Sequence, residues 1–159
     1  MGGNTILELV FTLVPTFALI FAFIDFGLAL FRWSTLQNAV REGCRYAVTF
    51  QTQSGMGQDA SIKAVVSQFS MGLVTPNDNP QHIFVAYYSP SNLTTPIASG
   101  GNTPGNVVQV SVSNITWSWL APLSGSFTTN TTYGSTYGMS VYSSDILGGY
   151  PVGVTSVTR

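Results

Sequence analysis

Charge is what this chain has least of: five Lys or Arg and six Asp or Glu in 159 residues, for a net charge of -1. After Lys63 the only formal charges are Asp78, Asp145 and Arg159. The basic footprint that nucleic acid requires is therefore missing, and no nucleic-acid partner is expected. Cys44 is the single cysteine, which excludes an intramolecular disulfide. His82 is the single histidine, and without a second imidazole or a thiolate cluster a zinc site is not expected, nor any other metal. The sequence holds no glycine-rich phosphate loop, no nucleophile elbow and no paired catalytic carboxylates. Asn77-Asp78-Asn79 has the start of a calcium loop but not its distal glutamate or its glycine spacing, and reads as a turn. These absences speak against an enzyme and against a bound cofactor. There are no internal repeats and no sustained heptads.

What the chain does have is one long oily run. Ile6 to Phe31 is apolar apart from Glu8 near its start and Asp25 near its end. As a helix it would span about 39 Å against a hydrocarbon core of ~30 Å, enough to cross a bilayer with some tilt. A core helix of a soluble protein is a poor fit, because the rest of the chain has too little apolar surface to wrap every side of it. A secretory signal is a poor fit too. Its apolar core would be about 7 to 15 residues, whereas Phe26, Leu28, Leu30, Phe31 and Trp33 carry this run onward. Met1 to Thr5 hold no Lys or Arg, while Arg32, Arg41 and Arg45 follow the run. The positive-inside rule alone would keep the body of the chain in the cytoplasm. The Ser-, Thr-, Asn- and Gly-rich body argues for the outside, and a processed or truncated start accounts for the missing basic flank.

A carboxylate in lipid costs ~2.5 to 3.5 kcal/mol on insertion scales, so Glu8 should find a partner or lie at headgroup level. In a bundle of identical helices the nearest cation is a neighbour's terminal amine, and that contact would reward correct axial register. Asp25 lies ~26 Å further along the helix, near the opposite surface or paired with Arg32 of this or an adjacent chain. Pro15 removes one backbone donor and crowds the carbonyl of Phe11, which predicts a kink or a short unwound stretch from Phe11 to Pro15, with Thr12 or Thr16 hydroxyls serving the freed carbonyl.

The helical pattern continues past the run. Trp33, Leu36, Val40, Gly43 with Cys44, and Ala47 recur at three- and four-residue spacing. A helix reaching about Phe50 far exceeds the globular mean of ~11 to 12 residues, and its second half should pack under a head domain. Residues 51–57 read as a loop. A second helix over about 59–72 would be capped by Asp59 or Ser61 and present Ile62, Val65, Val66, Phe69 and Leu73. Strands are expected over about 82–89, 107–120, 137–143 and 152–157. In the second of these Val108, Val110 and Val112 hold one parity, but Ile115, Trp117 and Trp119 hold the other. That switch predicts a bulge near Ser113 and Asn114. The fold class is thus α+β: a leading helix over 1–50 and a head domain over 51–159 with a short helix and a small antiparallel sheet.

Three sequons, at Asn92, Asn114 and Asn130, are possible glycosylation sites, with Asn92 and Asn130 in expected loops. Cys44 is a buried packing thiol, an intersubunit disulfide partner or a reactive thiol, and His82 is a satisfied or strand-edge residue.

The segments Gly3-Asn4-Thr5-Ile6-Leu7-Glu8, Pro15, Ile24-Asp25-Phe26-Gly27 and Thr35-Leu36-Gln37-Asn38-Ala39-Val40-Arg41-Glu42-Gly43-Cys44-Arg45-Tyr46-Ala47 resemble the amino-terminal region of the TadE-like pilins of tight-adherence systems, a branch of the type IV pilin superfamily. The resemblance covers roughly the first third of the chain. It implies cleavage by a prepilin peptidase between Gly3 and Asn4, with Glu8 as the glutamate retained in the helix. It further implies an inner-membrane precursor and a pilus assembly platform as partner, in a family whose members serve mainly as minor pilins or pseudopilins beside a much shorter bulk-fibre protein. Whether this chain is a minor or a principal subunit is left open, and the leading reading is a helical homopolymer, an extracellular filament on the bacterial surface that serves adhesion. The other reading is a monomeric membrane-tethered binding module or adhesin, using Trp117, Trp119, Tyr87 and Tyr88 as a contact surface.

Overall fold

The computed structural model of the chain describes residues 3–118 and 136–159. Its order is α1 (Gly3–Val48), α2 (Gln58–Phe69), β1 (Ile83–Tyr88), β2 (Val107–Ser118) and β3 (Thr136–Ile146). The three strands form one antiparallel sheet in the order β1-β2-β3. The class is the expected α+β.

The described residues divide into two compact units, one with those up to 31 together with 116–118 and 136–137, and one with 32–115 and 138–159. Within the first, α1 is helical from Gly3 onward and continues through Pro15. The expected unwound stretch is absent. The Thr16 hydroxyl donates to the Thr12 carbonyl at 2.6 Å and the Thr12 hydroxyl to the Glu8 carbonyl at 3.0 Å. Neither serves Phe11, so each threonine secures its own preceding turn instead.

The second unit owes its core to the stripe read in the sequence. Leu36, Ala39, Val40, Cys44 and Ala47 of α1 are buried with Ile62 and Val66 of α2 and with Ile83, Tyr87, Val108, Val110, Val112 and Val141 of the sheet. Trp33, expected on that stripe, is half exposed. Helix α1 stops where Phe50 takes a positive φ of 52°, its side chain turning inward against the Tyr150 ring at 4.5 Å. β1 pairs antiparallel with β2, Ile83 facing Val112 and Tyr87 facing Val108, which puts both on the inner face. Asn114 carries a φ of 63°, so the expected irregularity lies where the hydrophobic parity switches. Gly43 lets the helices meet: a Cβ there would stand 2.4 Å from a Val66 methyl.

Two expectations are corrected. Residues 152–157 are not a strand. Gly153 adopts a φ of 85° in a turn closed by the Val154 amide on the Pro151 carbonyl. Helix α2 is capped at Gly57 with no side-chain bond, not at Asp59 or Ser61. The Gln58 amide donates instead to the Thr158 carbonyl at 2.8 Å, so the returning tail satisfies the helix start and frees Asp59 for another task.

Candidate assembly surface

Successive residues of a helix point about 100° apart, so a covered helix shows some buried positions every turn. The leading half of α1 does the opposite. Leu9, Val10, Phe11, Leu13 and Val14 are all exposed, Phe11 by 78%, which leaves this part of the helix bare on every side. This segment is long and apolar enough to cross a membrane. A row of bare Leu, Val, Ile and Phe side chains is stable only in lipid or against other helices.

Glu8 is exposed among Ile6, Leu9 and Thr12. Asp25, in contrast, is fully buried and makes polar interactions. A buried carboxyl needs compensation, and the two acids of the run therefore occupy different environments, one open and one enclosed. Gly3 and Asn4 form the start of α1. Phe17 and Phe21 stack with centroids 6.3 Å apart on the bare surface.

The second unit carries a polar cluster that the sequence reading passed over. The Tyr87 hydroxyl donates to Asp59 at 2.7 Å, and the Arg159 Nε donates to the other Asp59 oxygen at 2.8 Å. The guanidinium also lies over the Tyr87 ring at 4.8 Å and donates to the Ile97 and Ala98 carbonyls. Burial, with the Asp59 carboxylate beside it, pushes the Tyr87 hydroxyl above the usual tyrosine range. Asn102 donates to the Val157 carbonyl and to Gln58, tying the tail to α2. The cluster borders an open cleft of about 800 Å³ whose walls include Met56, Ala60, Lys63, Ala64, Pro76 and Ala98. No local spacing signals it, because Asp59, Tyr87 and Arg159 lie far apart in the chain.

Other sequence candidates fall apart from these surfaces. Cys44 is buried with its thiol near the Val108 carbonyl, and burial raises its pKa to about 11 although the Ser143 hydroxyl pulls the other way. His82 Nδ1 meets the Ser113 carbonyl at 3.1 Å. Asp78 accepts from the Thr75 amide and hydroxyl, the latter bond first in holding its carboxyl below the usual range. Asn92 is exposed, its side-chain oxygen accepting from the Thr94 hydroxyl and amide, while Asn114 is exposed within β2. Asn130 and Trp119 lie outside the described residues, as does the side chain of Trp117. Tyr87 is fully buried and Tyr88 half buried, so Tyr87 belongs to the core and not to a contact surface.

The helix that carries the bare surface is also where the chain matches a known family: residues 3–45 fit the family of TadE-like proteins. The amino-terminal segment is TadE-like. The match spans the apolar run and most of the stripe that packs into the core of the second unit. No curated protein and no solved structure matches the chain significantly.

Proposed function

We infer that this TadE-like chain is a structural subunit of a Tad-type, type IV-like pilus, with no enzymatic role. The inner membrane holds the precursor through α1, a prepilin peptidase cuts between Gly3 and Asn4, and an assembly platform draws subunits into an extracellular helical filament that attaches the cell to surfaces. The observation that carries this reading is the bare apolar surface around Ile6 to Phe31. Lipid covers it before extraction, and sister helices cover it afterwards, which makes the filament core the only low-energy destination for an extracted subunit. Burial of apolar area at about 25 cal/mol per Å² supplies the cohesion. Glu8 supplies register, because a neighbour's cation would offset the ~2.5 to 3.5 kcal/mol that an acid costs in lipid. The head adds few formal charges to oppose close packing of like copies.

Charge reversal, Glu8→Lys, tests the reading. Membrane insertion of the chain is measured by fractionation and filaments by electron microscopy of sheared surface material. The expected result is an inserted protein without filaments. Filaments in unchanged number would instead favour a tethered head whose helix is only an anchor.

A further inference from the structure

The two edges of the sheet differ in what covers them. On β1 the Tyr87 carbonyl accepts the Ile97 amide at 2.7 Å, and Arg159 holds that segment by the carbonyls of Ile97 and Ala98. β3 is the other edge, and among the described residues no backbone segment bonds to its outer side. The residue after the strand shows which groups face outward. The Leu147 amide donates to the Asn106 carbonyl at 2.8 Å and the Leu147 carbonyl accepts the Gly105 amide at 3.0 Å, so both groups are directed toward the start of β2. In an antiparallel pair alternate residues do the same. Ser140, Tyr142, Ser144 and Ile146 therefore turn their amides and carbonyls away from the sheet. Such a row, flanked by Tyr142 and Ile146 side chains that are 65% and 61% exposed, is a template for another strand.

Side chains take two of those outward groups. Gln37 of α1 donates its Nε2 to the Tyr142 carbonyl at 3.3 Å, and the Asp145 carboxylate accepts the Ile146 amide at 2.8 Å. Asp145 shares the parity of Val141 and Leu147, which are both buried, so its side chain leaves the strand on the core side while remaining exposed at the rim. An inward-pointing charge on an edge strand opposes pairing, because an arriving copy would bring a second carboxylate against it or strip it of water. After Lys63 the chain has only three formal charges, and one of them stands here.

We propose that Gln37 and Asp145 guard the free edge of β3, keeping the heads of neighbouring copies from joining by strand addition. Gln37 occupies a carbonyl that an incoming strand would need, and Asp145 occupies an amide and adds the charge. The Ser144 amide and carbonyl between them have no such cover among the described residues, so the protection rests on these two side chains. The inference goes beyond the filament reading and does not depend on it: a guarded edge serves copies crowded in a membrane as well as copies stacked in a polymer.

Asp145→Thr with Gln37→Ala removes both guards from the full chain in detergent. Self-association is followed by sedimentation velocity, and the edge by residue-resolved hydrogen exchange. In the parent the outward Ser144 amide should exchange nearly as fast as in an unstructured peptide. The double variant should associate at least about tenfold more tightly, the scale of one or two regained backbone hydrogen bonds, with the Ser144 amide now protected. Ser144→Pro added to it deletes that outward amide, which an edge strand tolerates, and should restore the parent's behaviour. Asp145→Asn keeps the shape without the charge and should tighten association about threefold, the scale of relieving one pair of like charges across strands. A double variant no more associated than the parent, or a parent whose Ser144 amide is already protected, overturns the guard. If the double variant loses the near-ultraviolet signal of its buried tyrosine, Asp145→Asn decides, and no tightening there overturns the guard as well.

Discussion

Gly43→Ala is the substitution whose outcome the packing decides most sharply. On an exposed helix it would stabilise by about 0.8 to 1.0 kcal/mol through helix propensity. Here the added Cβ would lie 2.4 Å from Cγ2 of Val66, with methyl groups of Val110 at 3.5 Å and Ile62 at 3.7 Å closing the sides. Val66 is fully buried in α2, and a β-branched side chain in a helix has essentially one χ1 rotamer, so it cannot swing away. Overpacking of this kind costs about 1 to 3 kcal/mol. Little room for relaxation puts Gly43→Ala near the upper end, for a net loss of about 2 kcal/mol after the propensity gain. In a unit of this size that lowers Tm by roughly 8 to 16 °C. The assay is thermal unfolding of the full chain in detergent, followed by near-ultraviolet circular dichroism of the buried tyrosines. Val66→Ala provides the second arm. It empties the space the new methyl needs, so the double variant should be more stable than the sum of the single losses by about 1 kcal/mol. A Gly43→Ala protein as stable as the parent, or strict additivity in the double variant, would refute the packing argument.

Tyr87→Phe removes the buried hydroxyl from Asp59 and should cost about 1.5 kcal/mol in urea titration, the lower range for a bond to a charged group because Asp59 keeps Arg159. The raised pKa of Tyr87 means that the folded state holds this proton more tightly than the unfolded one. Its contribution is complete below pH ~10 and declines as pH rises beyond that, so Tyr87→Phe should show a flatter stability profile above pH 10. Cys44, raised to about 11 from 9.0, follows the same sign: stability declines between pH 9 and 11 in the parent and less so in Cys44→Ala, as monitored by the unfolding midpoint. Its thiol should label with a disulfide reagent at pH 8 only on unfolding, and rapid labelling of the folded chain would contradict its burial. Arg159→Ala should loosen the tail from Asp59, Ile97 and Ala98, read as early hydrogen exchange at the Gln58 amide, with unchanged protection as the contrary result.

Much of this was legible in the residues because period and length are strong signals. The uninterrupted run to Phe31 and the stripe from Leu36 to Ala47 fixed α1 nearly to its end. The parity switch at Asn114 located the irregularity in β2. Misses came from long-range contacts that local patterns do not encode. Asp59 has the chemistry of a helix cap, but the Thr158 carbonyl, far away in sequence, takes the Gln58 amide. Val152 to Val157 has β-branched residues enough for a strand, but Gly153 turns the chain and the tail is held through Arg159 instead. Tyr87 shares its parity with Ile83 and Val85 and is buried, as strand aromatics more often are, so only the alternative contact-surface reading loses it. For the assembly surface the sequence supplied Glu8, Asp25 and Pro15, but the burial of Asp25 and the cleft at Lys63 emerge only once the chain is folded.

The central claim is that the helix from Gly3 to Phe31 ends up against its own copies. Cryo-electron microscopy of sheared surface fibres, with intact-mass measurement of their subunit, tests it most directly. The account predicts fibres built from this chain, with the α1 helices bundled along the axis and Glu8 facing a neighbour's amino terminus. Fibres made of another protein, with this chain left as single helices in the membrane fraction, would contradict it.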